Sequence, residues 1–262
     1  MHFMAFPKSS KISFVIAALL AITFSPVLAQ QPGKIPNLPK FDMAKKHFGF
    51  YLGANQMFFT IKHATGFQDV VWKGTQLGDV LADSAKILSI ESKPIPGFTI
   101  GIVGNLRLGK YFDLRFLPGL QFGERQLAYN LQQFRRGDTI YGEVLKNIPS
   151  TNIDFPLYIR YKSERVHNFR LFVFAGIDYK IDLSSQAKNE DETEEITVKL
   201  EQTDLNFTGG VGFEFYTVYF KMGIELSMAY GTADLLHRDQ TLYTQSIEKL
   251  SSKIFQISFT FE

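Results

Sequence analysis

The chain closes with "SKIFQISFTFE", in which Phe255, Ile257, Phe259 and Phe261 share one parity and Gln256, Ser258, Thr260 and Glu262 the other. Successive side chains of a β-strand point to opposite faces, so the segment reads as a strand with one apolar and one polar face. This alternation constrains the fold more than any other feature. An apolar face that runs to the last residue needs a cover, whereas soluble domains usually let such a terminus fray.

The same period recurs along the chain. "FTIGIVGNLRL" sets Phe98, Ile100, Ile102, Leu106 and Leu108 against Thr99, Asn105 and Arg107, and "FDLRFLPGLQF" sets Phe112, Leu114, Phe116, Leu120 and Phe122 against Asp113, Arg115 and Gln121. In "IDFPLYIRYK" the polar parity holds Asp154, Tyr158, Arg160 and Lys162, and in "FRLFVFAGIDYKIDL" it holds Arg170, Asp178, Lys180 and Asp182. "DLNFTGGVGFEFY" and "YFKMGIELSMAY" add Glu214, Lys221 and Glu225. With the opening "HFGFYLGANQMFFTI", the total is about eight strands, many longer than the usual five or six residues.

Short connections fall at "GKY" (109–111), around 163–168 and near 217–218, while long polar stretches fall at roughly 63–95, 124–150, 185–202 and 232–249. Tight turns at one end and long loops at the other mark outer-membrane barrels. The pattern predicts an all-β fold, a closed antiparallel up-and-down transmembrane β-barrel. A soluble lipocalin-like barrel would use the same meander with its apolar parity inside. Strand length, a secretory leader and aromatics near strand ends (Phe98, Phe112, Tyr161, Phe169, Tyr219, Tyr230) favour the membrane. Lipid offers no partner to an open sheet edge, so the last strand must pair with the first. Pro118 and Pro156 should each mark a bulge or a kink, because a barrel has no edge on which to hide a missing N–H.

Residues 1–29 read as a cleaved signal peptide: Lys8 and Lys11 precede the apolar run "ISFVIAALLAITF", and Val27 and Ala29 sit at the small-residue positions of a cleavage site. Residues 30–46, with Pro32, Pro36 and Pro39, should form an extended and mobile periplasmic lead-in, leaving 47–262 as the barrel. The N-terminus of the barrel is therefore expected in the periplasm. Cleavage removes two of the 28 Lys and Arg and none of the 26 Asp and Glu, which leaves the mature chain formally neutral. Neutrality argues against nucleic acid held by bulk charge. With no cysteine, the chain also lacks a thiolate nucleophile, a thiol-ligated metal site and a lipid-acceptor cysteine.

Arg107, Asp113, Arg115, Asp154, Arg160, Arg170, Asp178, Lys180, Glu214, Lys221 and Glu225 fall on the predicted inward parity. Their signs are mixed, and the interior of an eight-stranded barrel is just wide enough for side chains to fill it. The expectation is an interlocked charge network rather than a wide pore, since open aqueous channels need about 16 strands. A proton or ion path is the functional alternative. No catalytic residue, cofactor or metal site is expected: His47, His63, His167 and His237 sit in no tight motif, and Asp239 two residues after His237 in a loop is a weak pairing. The glycines of "GGVG" (209–212) suit close packing in a strand better than a phosphate cradle. "NEDETEE" (189–195) reads as a solvated acidic run. "DVLADSAKILSIES" (79–92) is compatible with a short helix or with strand extensions above the membrane, and is a candidate docking surface.

The stretches "FDLRFLPGLQFGERQLAYN", "IDFPLYIRYKSERVHNFRLFVFAGIDYKIDLSSQ" and "FQISFTFE" resemble the PorT family of Bacteroidota outer-membrane barrels, called SprT in gliding bacteria. The resemblance runs from about Phe41 to Glu262, with 153–185 its most specific part. It implies an outer-membrane protein needed by the type IX secretion system, which exports surface enzymes and gliding adhesins, acting as a scaffold or assembly component. Implied partners are outer-membrane lipids and lipopolysaccharide, the barrel assembly machinery and other type IX secretion components. The alternative is a generic small barrel with porin-like, ligand-transport or lipid-modifying activity.

Overall fold

The computed structural model describes residues 36–185 and 198–262, so the leader and the acidic run 189–195 lie outside the described residues. Among the described residues there are ten strands: β1 (Lys46–His63), β2 (Trp72–Lys73), β3 (Ser84–Arg107), β4 (Phe112–Phe116), β5 (Gly119–Arg135), β6 (Asp138–Lys162), β7 (Phe169–Asp182), β8 (Thr203–Tyr216), β9 (Lys221–Gly231) and β10 (Ile247–Phe261). β4 and β5 both lie between β3 and β6 and form one stave broken at Leu117 and Pro118. β2 is a two-residue pairing inside the first long connection. The remaining order is a ring of eight antiparallel staves, closed where β1 meets β10 from Phe50↔Phe261 onward. The apolar C-terminal strand is thus pinned by β1 on one side and β9 on the other.

Pro118 does end a strand, but Pro156 causes neither bulge nor kink, and β6 keeps its register with β7 through Asp154↔Lys180 and Leu157↔Ile177. The reason lies in the break opposite. Leu117 N donates to Pro156 O (3.1 Å), so the missing Pro156 N–H would have faced Leu117 O. The Tyr51 hydroxyl donates to that oxygen instead, at 3.2 Å.

Around the ring the apolar parity points outward: Phe98, Ile100, Ile102, Leu157, Ile159, Leu171, Val173, Val211 and Leu226 are all exposed. The charged parity is inside, which settles the sense of the barrel against the lipocalin-like arrangement. Exposed aromatics bound this band. Phe169 and Tyr179 sit at its two edges on β7, ten residues apart, which at ~3.3 Å per residue and ~40° tilt is about 25 Å, the height of an outer-membrane apolar belt.

Beyond the band the molecule changes character. β1 parts from β3 after Met57↔Ile95, and β6 outruns β7 after Asn152↔Asp182, while β3, β5 and β6 continue as a three-stranded sheet. The long polar connection expected at 124–150 is in fact a hairpin. β5 and β6 pair as far as Arg135↔Asp138 around Arg136 and Gly137, whose φ values of 51° and 89° are those of a primed two-residue turn. Segment 79–92 resolves as strand from Ser84, and helical structure among the described residues is confined to the 3-10 turns Phe41–Met43 and Gly74–Leu77 and the single turn Leu242–Gln245. Leu127, Leu131, Ile87, Ile90, Tyr129, Tyr243 and Leu250 close over the barrel as an apolar dome.

Candidate functional site

The barrel interior is the candidate site, and alternation builds it directly: each stave delivers every second side chain to the lumen. Ten of the eleven residues expected there are buried within it, at 7% exposure or less. Arg107 is the exception. It lies half-buried at the rim of the turn end, donating to the backbone carbonyls of Gly109 (3.0 Å) and Asp42.

Rather than one network, the structure forms two clusters. At the turn end Arg160 donates to Asp113 (2.7 Å), Glu214 (2.6 Å) and Asn105 (3.2 Å), and stacks over the Phe172 ring. Lys162 pairs with Asp113 (2.7 Å), Lys221 bridges Glu214 and Glu262 (3.0 Å each), and Arg115 holds Glu225 and Glu262. Register accounts for these partners, because Asp113↔Arg160 and Arg170↔Glu214 are direct cross-strand neighbours.

Above this cluster the lumen is crossed by Tyr51, Val103, Leu117 and Tyr158, with Phe172 and Phe174 on the opposite wall. Gly210 and Gly212 make room for those two phenyl rings, since an added Cβ would come within 2.5 Å of them. "GGVG" is therefore a packing device. Beyond this layer Lys180 sits between Asp154 (2.9 Å) and Asp178 (2.8 Å) and donates to Gln121 (3.2 Å). An amide and hydroxyl chain through Asn55, Thr99, Gln256, Gln121 and Asn152 lines the same level. Two cavities of about 30 and 20 Å³ flank Lys180, each large enough for one or two water molecules. Ligand pockets are usually about 300–1,000 Å³, so neither holds a substrate. A larger cavity of about 320 Å³, between Leu171, Val173, Phe213 and Ile224, opens on the lipid-facing surface and is apolar.

Both ends of the lumen are closed. At the loop end the dome covers it, latched by Asp79, which accepts from Lys146 (2.6 Å) and Tyr243 (2.5 Å). Partial burial pulls the Asp79 carboxyl up, but those two donors hold it below the usual aspartate range. At the turn end, residues 36–45, the described part of the lead-in expected to be mobile over 30–46, are docked on the barrel. Phe41 stacks on His47 (ring centroids 4.1 Å apart), and Asp42 makes a two-pronged pair with Arg170 (2.8 and 3.0 Å) and accepts from Tyr216 (3.1 Å). Burial raises the Asp42 carboxyl, yet Arg170 and Tyr216 outweigh it and leave it below its ordinary value. Residues this short of apolar neighbours in sequence are held by the basic rim of the barrel, which local periodicity does not reveal.

The histidines form no catalytic arrangement among the described residues. His47 packs on Phe41, His63 stacks on Phe67, and His237 Nδ1 lies 3.1 Å from Glu201 rather than engaging Asp239. No group of three or more His, Cys, Asp or Glu placed to hold a metal occurs among the described residues. Parity also pointed inward for Lys162 and Glu262, which join the turn-end cluster, and for Asp182, which is buried and accepts from the backbone N–H groups of Thr151 and Ser184. Arg125 and Lys146 lie in the segment taken for a loop and had no such signal.

A family model described as "Outer membrane protein beta-barrel domain" matches residues 29–237. Similar solved structures include the outer membrane protein OprG from Pseudomonas aeruginosa (10% identity, 83% of this chain and 95% of that one, TM-score 0.36). Another is Ail, the attachment invasion locus protein of Yersinia pestis (9% identity, 84% and 99%, TM-score 0.29). No curated protein sequence matches the chain.

Proposed function

The chain belongs to the outer-membrane β-barrel domain family, and from that premise we propose that it is a closed, non-catalytic barrel that supports type IX secretion as a scaffold or assembly component. The observation that carries the scaffold reading is the occlusion of the lumen: paired charges fill the turn half, an aromatic layer crosses the middle and an apolar dome seals the loop end. A barrel so filled offers its surfaces rather than its interior. The secretion pathway comes from the resemblance of 112–130, 153–186 and 255–262 to PorT and SprT proteins. In this reading the leader directs export, the tight turns and the lead-in face the periplasm, and the dome faces outward. Lipids, lipopolysaccharide, the assembly machinery and other secretion components are then its partners.

Deleting the gene in its native host and comparing secreted and surface proteins by mass spectrometry tests the pathway. Selective loss of proteins bearing type IX sorting domains, restored by a plasmid copy, is the expected result. Unchanged cargo would remove the secretion role and leave the barrel. Planar-bilayer recording tests the closed lumen separately, where a steady open conductance would overturn the scaffold reading.

A further inference from the structure

The turn-end cluster is richer in cations than in carboxylates, and the lead-in brings it one more carboxylate. Within the barrel the cluster has five buried cations, Arg115, Arg160, Lys162, Arg170 and Lys221, against four carboxylates, Asp113, Glu214, Glu225 and Glu262. Asp42 supplies the fifth, and it arrives on a segment outside the sheet. Around it the rim is shaped for a short peptide. Phe41 lies between the flat face of His47 and the edge of Tyr216 (6.1 Å), with Lys221 Nζ 5.0 Å from its ring. Asn37 donates from its backbone to Asn168 (2.8 Å) and from its side chain to Tyr216 O (2.9 Å). Arg165, stacked on Tyr216 at 3.6 Å, donates to the carbonyls of Asn37 and Leu38, and Arg107 donates to that of Asp42.

These are the contacts of peptide recognition: an aromatic slot, a two-pronged guanidinium for a carboxylate, and donors aimed at backbone carbonyls. The seated state also carries strain. Leu38 in the segment has a φ of 48°, a left-handed value that a non-glycine residue adopts at a cost of about 1–2 kcal/mol. A segment held by good contacts against strain is held exchangeably.

We propose that the turn-end mouth is a peptide socket, filled in cis by Asn37–Asp42 and open to exchange with a segment of a second protein that presents an aromatic residue followed by a carboxylate. The emptied socket presents Arg107, Arg165, Arg170 and Lys221 around the His47 and Tyr216 rings, so charge and shape both select that class of partner. The inference rests on the mouth alone and is independent of the secretion role. A short tether holds the cis segment at an effective concentration of the order of mM, so a free peptide of equal intrinsic affinity competes poorly with it.

The test uses the full-length barrel in detergent and a fluorescent peptide of sequence PNLPKFDMAK. Phe41→Ala/Asp42→Asn leaves the socket walls intact and should release the segment, seen as faster tryptic cleavage after Lys40 and Lys45. Released protein should bind the peptide at least 10-fold more tightly than wild type, and adding Arg170→Ala should remove that gain. A released variant that binds no better than wild type would overturn the proposal, as would equal binding of a peptide with Asp replaced by Asn. If the double variant does not fold, a nitroxide at Lys40→Cys in the otherwise native chain provides the readout. Unlabelled peptide at several mM should then mobilise the label, and an unchanged spectrum would sink the exchange.

Discussion

The lower and upper halves of the lumen solve the same problem, filling the inside of a ring of strands, with opposite chemistry. β4 and β5 show the change along a single stave, whose inward side chains run from Asp113 and Arg115 through Gln121 and Arg125 to Leu127, Tyr129 and Leu131. In the lower half lipid surrounds the barrel, so the outer face takes the apolar residues and the inner face must satisfy its polar groups within itself. In the upper half water surrounds the sheet, and the inner face becomes an ordinary apolar core. Along β5 the alternation runs on and its meaning inverts, while β3 shifts register at Ile87/Ser89 and Pro94/Phe98.

This contrast predicts how each half fails. Arg160, 1% exposed and bonded to Asp113, Glu214 and Asn105, is the keystone of the lower half. Arg160→Ala leaves Asp113 to Lys162 and Glu214 to Lys221 and removes the guanidinium the two carboxylates share, and it should cost about 3–5 kcal/mol, the range for deleting one partner of a buried ion pair. Denaturant titration in lipid vesicles, with loss of heat-modifiable gel migration, measures it. Leu250→Ala in the dome, at 0% exposure, should cost about 2–5 kcal/mol through the cavity it leaves. Its signature differs: the long loops should become protease-sensitive while the gel shift of the barrel survives. If Leu250→Ala abolishes the gel shift too, the halves are one cooperative unit and the contrast is structural only.

Most of the lower half was legible in the sequence. Period 2 with apolar residues outward located the staves, and mixed charges on the other parity located the buried clusters. The upper half was misjudged because a reader looking for lipid-facing bands finds Gln126, Gln132 and Glu143 on the outer face and takes polarity for a loop. The lumen's division into two clusters was also out of reach. It rests on a layer that brings Tyr51 together with Leu117, 66 positions away. The docking of Asp42 on Arg170, 128 positions away, is hidden for the same reason.

The lead-in joins the comparison at the rim of the lower half, where water reaches part of the site. Asp42 is held below the ordinary aspartate value, so its contribution is present above the unfolded value of about 3.9 and is lost as pH falls through the lower folded value. A spin label at Lys40→Cys should stay immobile from pH 7 to about 5 and mobilise only below about pH 4. A transition between pH 5 and 7 would show that Asp42 is not what fastens the segment. The effect should be smaller than either substitution above, because Arg170 keeps Glu214 at 3.8 Å once the Asp42 carboxyl is neutral.

The smallest effect isolates burial itself. Lys93 and Glu143 form an ion pair at 2.5 Å on the outer face of the upper sheet, with both side chains about two-fifths exposed. Its geometry matches that of Arg160 and Asp113 at 2.7 Å, so contact distance alone would rank the two pairs as equals. Water decides otherwise. Removing Lys93 leaves Glu143 free to hydrate, whereas removing Arg160 takes a partner from Asp113 and Glu214 where no bulk water can replace it. Lys93→Gln should therefore change stability by about 0–1 kcal/mol, and 0.5 M salt should erase even that difference. Arg160→Ala should keep nearly its full cost in the same salt, because counterions do not enter the filled lumen. Equal salt sensitivity in the two variants would mean that water does reach the lower cluster, and the closed lumen would have to be given up.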